Sequence, residues 1–70
     1  MTKQFTITTF QDEDGAWIAE CLSIPGCVSQ GDTEQEAVSN LQDAIRECLE
    51  VREERGLPLT VNVRQVELEV

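Results

Sequence analysis

The sequence predicts an α+β fold: a small antiparallel sheet of three to four strands with one helix packed across it, in the order β-β-β-α-β. Three observations predict it. Residues 4–22 hold two alternating runs around an Asp-Gly turn, residues 34–55 carry apolar side chains at helical spacing behind a capping signature, and residues 59–70 return to alternation. Seventy residues suit one domain, expected to span 1–70, and a chain this short buries only roughly 60% of the surface it exposes when unfolded. A core that thin is usually supported by disulfides, a metal or self-association.

Residues 4–10 are rich in β-branched and aromatic side chains, with Phe5, Ile7 and Thr9 on one face and Phe10 on the other, which predicts a first strand. Residues 11–15 are polar and close on Asp14-Gly15, a turn leading into residues 16–22. There Trp17, Ala19 and Cys21 alternate with Ala16, Ile18 and Glu20, so the two runs form a hairpin. Ser23-Ile24-Pro25-Gly26 breaks the pattern, and residues 27–30 are long enough only for an edge strand. Gly26 and Gly31 bracket that strand and are expected to take backbone angles that other residues resist.

Thr33 followed by Glu36 predicts a capping box, in which the Thr hydroxyl accepts the N–H of the third helical residue and the Glu side chain reaches back to the Thr N–H. Glu34 and Glu36 suit the positive end of the helix dipole. Ala37, Val38, Leu41, Ala44, Ile45, Cys48, Leu49 and Val51 fall within an arc of about 160°, the width of a helix lying on a sheet. Gly56 supplies a left-handed cap and Pro58 prevents continuation, which ends the helix near residue 55. Asp43, Arg46, Glu47, Glu50 and Glu54 form the solvated face. Arg52 falls inside the apolar arc, where its stem covers the core edge and its guanidinium meets terminal carbonyls or a carboxylate.

In the last segment Val61 and Val63 share one parity and Val66, Leu68 and Val70 the other, so a strand is expected from about residue 64 to residue 70. The helix covers one face of the resulting sheet. Phe10 and Ile18 are left on the other, which argues for a second copy and a homodimer or homotetramer.

The formal charge of −9, from 14 Asp and Glu against 5 Lys and Arg, opposes contact with nucleic acid and with anionic membranes. It favours a basic protein partner. No 18-residue apolar run predicts a membrane span, and residues 1–20, with Asp12, Glu13, Asp14 and Glu20, do not read as a secretory signal. A cytoplasmic location is therefore expected. Cys21, Cys27 and Cys48 are odd in number and unpaired in spacing, and there is no histidine, so they read as small buried hydrophobes rather than as a disulfide scaffold or a zinc site. No metal or other cofactor is implied.

Gly15-Ala16-Trp17-Ile18-Ala19, then the run from Ile24-Pro25-Gly26-Cys27 through Gly31-Asp32-Thr33, then Glu36-Ala37-Val38-Ser39-Asn40-Leu41 and Ala44-Ile45, resemble the N-terminal domain of HicB-type antitoxins. That resemblance implies a partial ribonuclease H-like fold and a binding role. HicB-type antitoxins neutralise small basic HicA-type toxins, which are mRNA-cleaving ribonucleases, by covering the toxin's active site. Family members commonly carry a C-terminal DNA-binding domain, whereas this sequence reaches Val70 without a basic helix, so no DNA-binding domain is expected within it.

Charge clustering makes Asp12, Glu13, Asp14 and Glu20, with Asp32, the expected partner-binding residues. Trp17 reads first as core and second as an interface anchor. A two-metal nuclease would need Asp12, Asp14, Glu20 and Asp32 to converge, yet two of these sit in a turn. Without histidine no cysteine has an evident base. The expectation is an antitoxin-like binding module with no catalytic residues, and the alternative is a structural or small-ligand-binding homo-oligomer with no toxin partner.

Overall fold

The computed structural model describes residues 3–70, and these form an antiparallel sheet with one helix across it. Strands β1 (Ile7–Gln11), β2 (Trp17–Cys21) and β3 (Val28–Gly31) lie in the spatial order β1-β2-β3, followed by helix α1 (Glu34–Glu54). The α+β architecture matches the pattern of the sequence. The fourth strand does not: among the described residues no strand forms after α1.

Strand β1 begins three residues later than the alternation predicts, because a ladder exists only where β2 runs opposite it. Ile7 pairs with Cys21 and Gln11 with Trp17. Asp12 N–H donates to the Ala16 carbonyl at 2.8 Å and Gly15 N–H to the Asp12 carbonyl at 3.1 Å, closing a three-residue loop with Gly15 at φ +88°. That is the geometry of a turn followed by a left-handed residue, and it explains the Asp-Gly pair. Ala19 pairs with Ser29 and Trp17 with Gly31 in the second ladder.

The core is Ala19, Cys21, Ile24, Cys27, Ala37, Leu41 and Ile45, with Phe5, Ile7, Trp17, Ala44, Cys48 and Leu49 packed against it. Trp17 is thus a core-facing side chain. The largest contribution outside the regular elements is Ile24, which is fully buried although the sequence places it in a break between strands. Ile24 N–H bonds the Cys21 carbonyl at 3.3 Å and Cys27 N–H bonds the Ile24 carbonyl at 3.1 Å, so two tight turns fold this side chain inward.

The two glycines flanking β3 differ in cause. Gly26 adopts φ +79°, a left-handed angle as expected. Gly31 has no such angle. An added Cβ there would lie 2.6 Å from the Ala37 nitrogen and 2.9 Å from Glu36 atoms, so close approach of the helix start is what requires glycine.

Helix α1 is capped at Thr33, whose hydroxyl accepts from Glu36 N–H at 3.1 Å. The reciprocal bond from the Glu36 side chain is not among those of the described residues, which leaves half of the predicted box. At the other end Gly56, at φ +68°, donates to Glu53, and Leu57 N–H donates to the Arg52 carbonyl at 2.9 Å, the paired bonds of a glycine-capped terminus. Arg52 Nη1 donates to the Pro58 carbonyl at 2.7 Å, tying the chain beyond the helix back to its last turn.

Beyond that tie residues 60–63 run beside residues 3–6 and Ser23, and the chain then leaves the body. The backbone link from residues 59–70 to the other described residues is a single bond, Val61 N–H to the Ser23 carbonyl at 2.7 Å. Val66, Leu68 and Val70 are 85%, 77% and 112% exposed. Strong alternation shows which side chains share a face, but a strand also needs a partner edge for its N–H and C=O groups, and within the single chain this segment pairs with none.

Candidate partner-binding surface

The hairpin register decides where the acidic residues fall. Because β2 and β3 are antiparallel and Trp17 pairs with Gly31, the 12–16 turn and the entry to α1 occupy the same end of the sheet. That end carries Asp12, Glu13, Asp14 and Asp32, joined by Glu34 and Glu36 of the first helical turn. Thr9 Oγ1 donates to Glu34 Oε2 at 2.8 Å, which holds the helix start against β1. Glu20 stands apart. It pairs with Thr8 and Val28 on the sheet face that α1 leaves uncovered.

The carboxylates do unequal work. Asp12 Oδ1 accepts from Asp14 N–H and from Ala16 N–H, both at 2.9 Å, so this side chain builds the turn. Glu13 and Asp14 are exposed and carry no side-chain hydrogen bond among the described residues, as does Asp32 at the helix entry. These three are free to meet a partner.

Glu34 and Glu36 were legible in the sequence only as partners of the helix start, both through the dipole and Glu36 also through the capping box. A signal for an acidic surface was nevertheless present: residues 4–45 contain eight carboxylates and no lysine or arginine. The cations lie at Lys3 and from Arg46 onward, and one ion pair, Arg46 to Asp43 at 2.9 Å on the exposed helix face, is seen among the described residues. At such exposure it contributes a few tenths of a kcal/mol, so the acidic end is left uncompensated.

Among the described residues no group of three or more His, Cys, Asp or Glu side chains is placed to hold a metal ion, so the carboxylates required by a two-metal nuclease do not converge. Cys21 and Cys27 are buried and Cys48 is half-buried, and all three are free thiols. Burial first, then a hydrogen bond with Cys48 and the neighbouring Cys48 and Cys21 charges, push the Cys27 thiol up to about 12. Such a thiol stays protonated and does not act as a nucleophile at neutral pH. No helix among the described residues is long and apolar enough to cross a membrane.

The outward sheet face brings together Phe10, Ile18 and Val28, with Phe10 and Val28 about half exposed. Val28 was not foreseen as part of this patch, because only the β2–β3 register places it beside Glu20 and on the same face as Ile18.

Fold and surface together define a small α+β domain with an acidic end and an uncovered apolar sheet face. The chain belongs to the family described as "Domain of unknown function (DUF1902)", which matches residues 5–69. It is similar to UPF0150 protein ssr1258 of Synechocystis, 34% identical over 67 residues that cover 94% of this chain and 97% of the relative. UPF0150 protein ssl0738 of the same organism is 43% identical over 61 residues, 83% and 85% of the two chains. UPF0150 protein Ta0767 of Thermoplasma acidophilum is 38% identical over 47 residues, 67% and 68%. None of these names states an activity. No solved structure matches the chain.

Proposed function

We propose that the chain is an antitoxin-like binding module that neutralises a small basic HicA-type mRNA-cleaving ribonuclease and performs no catalysis of its own. The observation that carries this reading is the acidic end of the sheet, where exposed Glu13, Asp14 and Asp32 adjoin Glu34 and Glu36 with no cation among them. Carboxylates so placed take the surface of a basic ribonuclease that RNA phosphates would otherwise occupy, and they speed encounter with it. The Pro-Gly-Cys, Gly-Asp-Thr and Glu-Ala segments shared with HicB-type antitoxins support the same reading. In this role the protein acts in the cytoplasm, as a homodimer or homotetramer, and makes no direct contact with nucleic acid.

The test is coexpression with the product of any small gene adjacent to its own. Co-purification and rescue of growth are expected, with binding that weakens as salt rises. Absence of a complex at low salt overturns the proposal, and so does magnesium-dependent RNA cleavage by the purified chain that is lost in Glu20→Gln.

A further inference from the structure

We propose that residues 64–70 supply the fourth strand in trans: the segment from one copy pairs along the free edge of β1 in a second copy and seats Val66, Leu68 and Val70 in the groove between β1 and α1. This does not depend on the toxin-binding reading.

The acceptor is half of a strand interface already built. Leu22 N–H bonds the Thr6 carbonyl at 3.1 Å and Asp12 N–H bonds the Ala16 carbonyl, so the even-numbered residues of this stretch face β2. Alternation then turns the N–H and C=O groups of Ile7, Thr9 and Gln11 outward, along an edge with no hydrogen-bond partner for them among the described residues. Exposed edges are normally guarded by charge, proline or a bulge, and β1, Ile-Thr-Thr-Phe-Gln, has none. The opposite edge is treated differently, since Asn40 Nδ2 caps the Gln30 carbonyl of β3 at 2.9 Å.

Beside this edge the helix has drawn away, lying mainly over β2 and β3. The space left is a groove of about 340 Å³ lined by Phe5, Ile7, Val38, Leu41, Ile45 and Leu49. A strand added to β1 turns alternate side chains into it. Glu67 and Glu69, which alternate with the apolar residues of the donor, then turn to the opposite face of the sheet and out to solvent.

The donor matches in form. It is alternating, unpaired and almost fully exposed, and seven residues suffice to cover a five-residue strand. The whole chain carries the same mark. Its accessible surface is 5839 Å² where about 4,400 Å² is usual for a folded monomer of 7.8 kDa. Its radius of gyration is 13.6 Å where about 11 Å is usual for this length. The surplus surface exceeds the roughly 800 Å² that each partner contributes to a standard interface. A twofold exchange, each copy giving one strand and receiving one, leaves no donor segment and no β1 edge unused and so closes at two chains.

Two full-length variants test the exchange by mass in solution at micromolar concentration. Leu68→Pro spoils the donor, and Thr9→Pro removes an outward N–H from the acceptor while sparing the β2 ladder. Each alone is expected to halve the mass of the wild-type assembly. Mixed, they are expected to restore a two-chain species, since an intact donor on one meets an intact acceptor on the other, which also shows that both fold. The proposal is overturned if Leu68→Pro keeps the wild-type mass, if the wild type has the mass of one chain, or if the mixture contains single chains alone.

Discussion

The backbone of Gly31 lies so close to that of Ala37 that a Cβ at residue 31 would stand 2.6 Å from the Ala37 nitrogen. This contact sets how closely the helix start approaches the last strand, because neither atom group is a flexible side chain that can give way. Gly31→Ala is therefore expected to push α1 off β3 and to cost about 1–3 kcal/mol, the range for overpacking a close contact. Gly26→Ala meets open space, so its cost is the left-handed backbone alone, about 1 kcal/mol. Urea denaturation of the two variants checks the order.

Asp12 separates structure from binding within the acidic turn. Asp12→Ala removes the acceptor of two backbone N–H groups and is expected to lower stability by about 1–2 kcal/mol. The paired change Glu13→Lys and Asp14→Lys is expected to leave stability within about 0.5 kcal/mol while weakening the ribonuclease complex at least tenfold at low salt. Thermal denaturation and binding titrations on the same preparations distinguish the two effects.

Ile24 tests how much of the core depends on the loop between β2 and β3. Its side chain is fully buried, and Ile24→Ala is expected to cost about 2–5 kcal/mol, as for other large-to-small changes in a packed core. For a domain this small the variant is expected to be largely unfolded at 37 °C, readable by far-ultraviolet circular dichroism.

Cys27 gives the fold an alkaline limit. Its thiol is raised from 9.0 to about 12 in the folded chain, so the unfolded chain loses that proton first. The stability this group provides is complete below pH 9 and is lost progressively as pH climbs toward 12. The melting temperature of the wild type is expected to fall across that interval, and that of Cys27→Val to fall less.

The hairpin, the edge strand, the capped helix and the core role of Trp17 were all legible in local pattern. Period-2 alternation, a Thr-to-Glu cap and a glycine stop each act within a few residues. Ile24 was not legible, because a lone apolar residue beside Pro25 and Gly26 carries no period, and only the turns on either side of it aim it inward. The acidic turn was visible as charge, but its union with Asp32, Glu34 and Glu36 required the β2–β3 register. Residues 59–70 show the limit most plainly. Val66, Leu68 and Val70 alternate with polar residues as a strand requires, yet they form no strand within the single chain.

By itself, then, the sequence determined the α+β class, the element types and the net charge, because these depend on side-chain period, capping chemistry and composition. The tertiary structure decided which carboxylates share an end, why Gly31 must be glycine, and that the edge of β1 stays open. Each of these depends on contacts between residues far apart in the chain, for which neighbouring side chains hold no record.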